Sequence, residues 1–342
     1  MSNARRYNAE RPRVVEELIA AFDRAAARRF VVLGHVDPDL DCVGAQFALG
    51  AVLEAQGKQV RLWAPAPLPD QYAFLPGLER ITTEFPVGEA FDVAVVLDTA
   101  TFERLGDHPP FTRAAFPVLA NIDHHESNAR FGTINWVDPA ASSVGEMLFE
   151  LFEAWGVEIT RQTAEYLYAS IASDTGGFSF SNTTARTFRV AGALVERGVV
   201  PFAVWQQLFG SVPFPKYRLL GDALRTLRVH FGGRIATMRI TQEMLGETGT
   251  VMEDSERFVR YPRSVTGVEV AALLREQPGG DSVRVGLRSN SAGFDVSRIA
   301  SRLGGGGHPK AAACTLSGGL DAVEETIVAA VTRALEEAES TT

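Results

Sequence analysis

Residues 30–41 read FVVLGHVDPDLD, so a short apolar run is followed directly by a histidine and three aspartates. The run 30–33 predicts a buried strand, and the pattern over 43–56 predicts the helix after it. One aspartate could cap that helix, with Asp37 the expected cap. The whole group is harder to explain as a turn, because three carboxylates near His35 repel one another unless a cation lies among them. The stretch therefore indicates a strand that ends in a metal site.

Apolar runs alternate with helical patterns through the first two hundred residues. Predicted strands cover 30–33, 59–63, 92–97 and 118–122, and predicted helices cover 11–28, 43–56, 143–155, 161–173 and 184–198. Continuous apolar strands that alternate with helices are typical of a parallel sheet covered by helices on both faces. We therefore expect an α/β domain over residues 1–195.

The composition changes after residue 200. Three prolines fall within 200–225, which favours a helical connector over 196–225. Beyond it, predicted strands cover 235–240, 268–275 and 283–288, and predicted helices cover 295–303 and 321–339. This pattern indicates a smaller α+β domain with a mixed sheet over 226–342.

Charge and composition restrict the possible functions. The 342 residues carry 33 basic and 42 acidic side chains, for a net charge of −9, which argues against a protein that coats long duplex nucleic acid. No apolar run approaches the roughly 20 residues that span a bilayer, and the first residues lack the apolar core of a signal peptide. Cys42 and Cys314 are far apart and fit no disulfide or zinc pattern. We expect a cytoplasmic protein without a membrane segment.

Three further acidic clusters follow predicted elements. Asp98 ends the run 92–97, Asp123-His124-His125 ends the run 118–122, and Asp174 follows the helix 161–173. Each alone could be a turn or helix-end residue. Because the carboxyl ends of parallel strands line one crevice, we expect the clusters to meet in space.

The combined ligand set consists of carboxylates and imidazoles without a thiolate, which suits Mn²⁺ or Mg²⁺ and, less specifically, Zn²⁺ or Fe²⁺. Four aspartates would balance the charge of two divalent cations. Two such cations clamp the attacking and leaving oxygens of a phosphoryl displacement, with a metal-bound hydroxide as the nucleophile. The clusters therefore predict a two-metal phosphoesterase.

A second candidate site lies near the C-terminus, where four consecutive glycines, 304–307, precede His308. Glycines allow a backbone to approach a phosphate closely, although a flexible loop or a helix C-cap would also use them. Arg288-Ser289 ends a predicted strand, and Arg288 could bind a phosphate or stack on a base. We expect this region to bind part of the substrate.

The clusters together resemble the four motifs of the DHH phosphoesterase superfamily. The matching segments are His35-x-x-x-Asp39-x-Asp41, Asp98-Thr99, Asp123-His124-His125 and Asp174-Thr175. The segment 304–313, GGGGHPKAAA, resembles the glycine-rich motif of the associated DHHA1 domain. Arg288-Ser289 and 178–184, FSFSNTT, resemble the NrnA-like branch, whose members degrade very short RNAs and often dephosphorylate 3′-phosphoadenosine 5′-phosphate (pAp).

The resemblance implies a role for each residue of the clusters. One metal would be held by His35, Asp39 and Asp98, and the other by Asp41, Asp98, His124 and Asp174, so that Asp98 bridges the two. Asp123 would orient a ligand histidine. His125 would point towards the scissile phosphate and stabilise charge or donate a proton.

The resemblance also implies that the second domain holds the terminal nucleotide, with the active site in the cleft between the domains. The residues expected to bind it are Arg288, Ser289, Gly305, Gly306, Gly307 and His308. The implied enzyme hydrolyses short oligoribonucleotides (nano-RNA) to mononucleotides and removes the 3′-phosphate of pAp, with two metal ions, Mn²⁺ foremost. A homodimer is left open.

Three alternatives remain. The first is a phosphodiesterase for cyclic dinucleotides or for linear ones such as pApA and pGpG. The second is a RecJ-like single-strand exonuclease, which the short chain and the negative charge disfavour. The third is an inactive nucleotide-binding protein, whose metal ligands should be eroded, whereas all of them are present here.

Overall fold

The computed structural model of the protein describes residues 13–106, 109–291 and 293–340. The chain divides into an N-terminal unit that ends at Ser211 and a C-terminal unit that begins at Val212. This division falls inside the predicted connector.

The N-terminal unit alternates strands and helices as the hydrophobic pattern predicts. Its elements are α1 (Arg13–Asp23), β1 (Arg29–Leu33), α2 (Leu40–Ala55), β2 (Gln59–Trp63), β3 (Ile81–Thr82), β4 (Val93–Leu97), β5 (Val118–Asp123), β6 (Ile134–Val137), α3 (Val144–Trp155), α4 (Arg161–Asp174), α5 (Ala185–Glu196) and α6 (Pro201–Trp205). The strands form one sheet in the order β3-β2-β1-β4-β5-β6, and every neighbouring pair is parallel. The predicted parallel sheet is confirmed.

The two faces of this sheet are covered differently. Val32 and Val95 face a core built with α1 to α5. Val31 and Val96 face the other way, into a cluster of aromatic side chains that includes Phe111. Within the described residues this second cover comes from short 3₁₀ segments and loops. The prediction of cover on both faces is therefore confirmed, but α-helices supply it on one face only.

The C-terminal unit carries the predicted mixed sheet. Its elements are α7 (Phe214–Arg225), β7 (Arg228–His230), β8 (Ile235–Ile240), α8 (Gln242–Thr248), α9 (Arg260–Arg263), β9 (Val270–Glu276), β10 (Ser282–Ser289), α10 (Val296–Arg302), β11 (Gly306–His308), β12 (Ala311–Ser317) and α11 (Leu320–Glu339). The strand order is β11-β12-β10-β9-β8-β7, and only β8 and β9 run parallel. Helices α10 and α11 pack on one face, and α7 and α8 pack on the other.

The prolines of the predicted connector begin helices. Pro201 lies in the first turn of α6 and Pro215 in the first turn of α7. Proline suits these positions because its missing N–H would have no partner inside the helix. Of the helices that the structure describes, none combines the length and the apolarity that a membrane crossing requires.

Candidate active site

Strands β1 and β4 lie side by side in the middle of the parallel sheet, and the chain continues from them in opposite directions. Such a point of reversal opens a crevice at the carboxyl ends of the strands. His35 follows β1 and Asp98 follows β4, so both side chains enter this crevice from adjacent strands.

Asp98 lies at the centre of the cluster. It is buried, and its backbone has a φ of 54°, in the left-handed region that an aspartate tolerates better than most residues. Its N–H donates to the carbonyl of Ile122 at 3.0 Å, which ties the turn to β5. Its Oδ1 atom is buried without a hydrogen-bond partner. A buried anionic oxygen of this kind needs a cation, because leaving it unpaired is costly.

One possible ligand group consists of His35, Asp39 and Asp98, whose ligand atoms lie within 4.8 Å of one another. The Nδ1 atom of His35 is held by the carbonyl of Val36 at 2.5 Å, and its Nε2 atom lies 3.5 Å from Oδ2 of Asp98. Asp39 also caps α2 by accepting from the N–H of Cys42 at 3.0 Å. The expectation that Asp37 is the cap was wrong, because the helix begins at Leu40 and Asp37 lies one residue too early.

A second group consists of Asp41, His124 and Asp174, again with ligand atoms within 4.8 Å. The Nε2 atom of His124 lies 3.7 Å from Asp41 and 3.8 Å from Asp174. Its Nδ1 atom faces the carbonyl of Ala141 at 3.3 Å, which orients Nε2 towards the carboxylates.

Asp41 is held by the start of α3. Its carboxylate accepts from the N–H groups of Val144 at 2.8 Å and Gly145 at 3.1 Å, and also from the hydroxyl of Ser170. A Cβ on Gly145 would lie 2.0 Å from that hydroxyl oxygen, so only glycine fits. Three donors and a helix N-terminus therefore fix a buried anion at this position.

A third group joins Asp98, His124 and His125. The Nδ1 atom of His125 donates to Oδ1 of Asp123 at 2.7 Å, and Oδ2 of Asp123 accepts from Asn128 at 2.6 Å. The family resemblance implied that Asp123 orients a ligand histidine. The structure corrects this implication, because the carboxylate of Asp123 holds His125, whereas the ring of His124 is held by Ala141.

The electrostatics reflect crowded carboxylates. Burial disfavours protonated His124, but Asp98, Asp41 and Asp174 outweigh it and raise the pKa of His124 to about 10. Burial also disfavours protonated His35, but Cys42 and Asp98 raise its pKa to about 11. Both imidazoles would be cationic in the absence of another positive charge.

The carboxylates respond in opposite directions. Burial would raise the pKa of Asp98, but His124 and His35 hold it well below its usual range. Burial raises the pKa of Asp174 to about 6, assisted by Asp98 and opposed by His124. Burial, Asp98 and Asp174 also raise the pKa of Asp41. One carboxylate is thus stabilised as the anion while its neighbours resist ionisation.

The residues present fit divalent metal ions. Carboxylate and imidazole atoms form three overlapping groups that share Asp98 or His124, and Oδ1 of Asp98 is unpartnered in the middle. Hard oxygen donors with imidazole are suited to Mn²⁺, Mg²⁺ and related ions. All six predicted metal ligands, together with His125 and Asp123, come together at one end of the parallel sheet.

In the C-terminal unit, Arg288 and His308 share a face of the mixed sheet. Arg288 pairs with Ala311 across β10 and β12, and Ala311 pairs with His308 across β12 and β11. Cross-strand partners project from the same face, so the small side chain of Ala311 leaves space between an arginine and a histidine. Ser289 is buried on the opposite face, and its hydroxyl donates to the carbonyl of Ser291 at 3.2 Å. The predicted grouping of Ser289 with Arg288 is therefore wrong for its side chain, because successive residues of a strand alternate between faces.

The glycine run forms an edge strand. Gly306, Gly307 and His308 pair with β12, and a Cβ on Gly305 would lie 2.1 Å from the carbonyl oxygen of Ala313. Gly304 follows α10 with a φ of 77°, so the C-cap interpretation is correct for this one glycine. The other interpretation, a flexible loop, is wrong because the strand pairing demands the remaining glycines. An edge strand exposes backbone N–H groups, which a phosphate can use.

Several supporting residues were not predicted. Asn182 donates to the side chain of Asp174 at 3.3 Å and to the carbonyl of Ser142 at 3.0 Å. The Nη2 atom of Arg104 lies 3.0 Å from Nδ1 of His35. Ser170 and Asn128 hold Asp41 and Asp123. Only Asn182 lay in a segment that the sequence had singled out, 178–184.

Comparison with known families places this geometry in context. The DHH family, N-terminal domain, matches residues 29–171, and the DHHA1 domain matches residues 232–337. The first match contains all six possible metal ligands except Asp174, and the second contains Arg288 and the glycine strand.

Individual relatives cover nearly the whole chain. The bifunctional oligoribonuclease and PAP phosphatase NrnA of Thermus thermophilus is 36% identical over 95% of this chain and 96% of its own length. The protein of the same name from Bacillus subtilis is 30% identical over 82% of this chain and 87% of its own. A crystal structure of an exopolyphosphatase-related protein from Bacteroides fragilis superposes with a TM-score of 0.84 at 26% identity, covering 95% of this chain and 96% of the other.

Proposed function

Since the chain belongs to the DHH family and carries a DHHA1 domain, we propose that it is a metal-dependent phosphoesterase that hydrolyses short oligoribonucleotides to mononucleotides and removes the 3′-phosphate of pAp. The observation that carries the proposal is the junction of three ligand groups around Asp98. The relatives named as oligoribonuclease and PAP phosphatase share both domains with this chain and support the substrate class.

The metal ligands follow from the grouping. His35, Asp39 and Asp98 would hold one divalent cation, and Asp41, Asp98, His124 and Asp174 would hold the other. When bound, such cations lower the pKa of a water molecule and neutralise charge on the phosphate. We propose Mn²⁺ as the preferred ion, because it accepts imidazole and carboxylate together.

His125 is proposed to handle a proton or negative charge at the phosphate. Its ring is half exposed and is held through Nδ1 by Asp123, which leaves Nε2 facing away from that carboxylate. The hydrogen bond to Asp123 raises the pKa of His125 and favours the cationic form. A fixed imidazolium can stabilise the phosphate or protonate the leaving oxygen.

The C-terminal unit is proposed to hold the terminal nucleotide. Arg288 and His308 would contact its phosphate or base across Ala311, and the N–H groups of Gly305, Gly306 and Gly307 would line the same edge. Burial and Arg263 lower the pKa of Arg288, so an anion at this position would relieve an electrostatic cost. We do not assign a contact to the hydroxyl of Ser289.

Two further features belong to the proposal. Exposed aromatic side chains on the N-terminal unit, Phe188, Phe202 and Trp205, would support a homodimer. Cys42 and Cys314 are both buried free thiols, which suits the reducing cytoplasm.

The test is a comparison of substrates with purified protein and Mn²⁺. The substrates are a 5′-phosphorylated RNA dinucleotide, pAp, cyclic di-AMP and a long single-stranded RNA, with products separated by chromatography. We expect rapid loss of the dinucleotide and of pAp while the long strand persists. Preferential loss of the long strand would indicate a RecJ-like exonuclease, and preferential loss of cyclic di-AMP would indicate a cyclic-dinucleotide phosphodiesterase.

A further inference from the structure

A cavity of about 580 Å³ lies in the C-terminal unit beside α8, β9 and β10. It is separate from the pair Arg288 and His308, neither of which lines it. The lining side chains that matter here are Gln242, Met252, Glu253, Glu256, Arg275 and Arg284.

Two arginines oppose each other in this cavity. Arg275 of β9 and Arg284 of β10 are direct partners in the antiparallel register, so their side chains project from the same face. Like charges in such a pair destabilise a sheet. The Nε atom of Arg275 is buried without a hydrogen-bond partner. Across the described parts of the chain, no carboxylate comes within ion-pairing distance of either guanidinium.

The charges around Arg275 leave it short of an anion. Burial lowers the pKa of Arg275, and Arg284 and Arg288 lower it further, while Glu256 and Glu253 oppose them only in part. These two glutamates are exposed on the 3₁₀ segment Met252–Val259. The protein therefore maintains a cationic pair that its own carboxylates do not neutralise.

We propose that this cavity binds a nucleoside monophosphate, with the phosphate between Arg275 and Arg284 and the base beside Met252. Guanidinium groups match a phosphate in bidentate geometry, and the volume is that of a small-ligand pocket. Glu253 and Glu256 can accept hydrogen bonds from the amino groups of a base. The same carboxylates would repel additional phosphates, which favours a monophosphate over a di- or triphosphate.

The test measures binding to the full-length protein in EDTA, so that no turnover occurs and the outcome does not depend on the proposed function. Calorimetry with AMP, inorganic phosphate and adenosine is done on an Arg288→Gln background, which weakens binding at the other nucleotide contact. The Arg288→Gln protein should bind about one AMP per chain. Adding Arg275→Gln should weaken this binding at least about tenfold.

The matched control is Arg302→Gln on the same background, since Arg302 is exposed and does not line the cavity. Its AMP affinity should be unchanged. Inorganic phosphate should bind more weakly than AMP, and adenosine should bind most weakly. Equal AMP affinities with and without Arg275→Gln, or adenosine binding as tightly as AMP, would overturn the proposal.

A second measurement separates a binding role from a structural one. Because Arg275 opposes Arg284, Arg275→Gln alone should leave the Tm unchanged or raise it. A lower Tm would show that Arg275 stabilises the fold through the glutamates and would contradict the proposed site.

Discussion

The Nε2 atom of His124 lies 3.5 Å from Oδ1 of Asp98, an oxygen that is buried and accepts no hydrogen bond. Each atom presents a lone pair to the other when the histidine is neutral, so the pair is favourable only with a proton or a metal ion between them. The raised pKa of His124, about 10, describes the proton. A divalent cation would displace it, because metal ligands bind in their deprotonated forms.

Asp98→Asn should abolish metal binding at both groups while the protein stays folded. Asparagine keeps the shape of the side chain and tolerates the left-handed backbone at this position. We expect turnover to fall by more than the roughly 10–100-fold that follows loss of an outer hydrogen-bond partner. Metal content and phosphodiester hydrolysis are measured together, with the exposed Asp222→Asn as the control. Substantial activity in Asp98→Asn would exclude a bridging role.

The stability of the metal-free protein should fall as pH rises from about 5 to about 7. The pKa of Asp174 is raised to about 6 and that of Asp41 is raised as well. A carboxyl group with a raised folded-state pKa stabilises the fold below its unfolded pKa, and this contribution is lost as pH rises through the folded value. The raised pKa values of His35 and His124 act in the same direction at higher pH.

Thermal unfolding in EDTA and in Mn²⁺ measures this effect. The increase in Tm caused by Mn²⁺ should be larger at neutral pH than at about pH 5, because protons compete with the metal. Asp174→Asn should flatten the pH dependence of the metal-free protein. A metal-free Tm that rises over this interval would contradict the assigned environment of Asp174 and Asp41.

Asn128→Ala should lower kcat about 10–100-fold with little change in metal affinity. Asn128 donates to Asp123, which in turn holds His125, so its loss releases the ring from its fixed orientation. Combining Asn128→Ala with His125→Ala should cost no more than His125→Ala alone, because both act through one imidazole. Additive losses would show that Asn128 acts by another route.

Gly145→Ala should destabilise the protein by about 1–3 kcal/mol. The added methyl group would lie 2.0 Å from Oγ of Ser170 and would displace a hydroxyl that donates to Asp41. Gly192→Ala is the matched control, since nothing lies within 4 Å of its Cβ position inside α5. The control should be stabilised by roughly 0.5–1 kcal/mol. Chemical unfolding of both variants gives the comparison.

The sequence predicted the parallel sheet and the convergence of its acidic clusters because both depend on local patterns. Apolar runs marked β1, β4 and β5, and the polar residues after them had to meet at one sheet edge. It could not predict which face Ser289 occupies, since that depends on the register of β10 with its neighbours. It also missed the pair Arg275 and Arg284, which is formed by strand pairing between residues that show no motif.

Arg288→Gln should lower kcat/KM for an RNA dinucleotide about tenfold or more, because a charge-assisted hydrogen bond contributes roughly 1.5–3 kcal/mol. Hydrolysis of a small artificial phosphodiester should change little, since it reaches the metals without needing a nucleotide contact. His308→Ala should show the same selectivity, because both side chains flank Ala311 on one sheet face. Arg302→Gln serves as the control and should leave both substrates unaffected. Equal losses on both substrates would instead assign Arg288 to the stability of the C-terminal sheet.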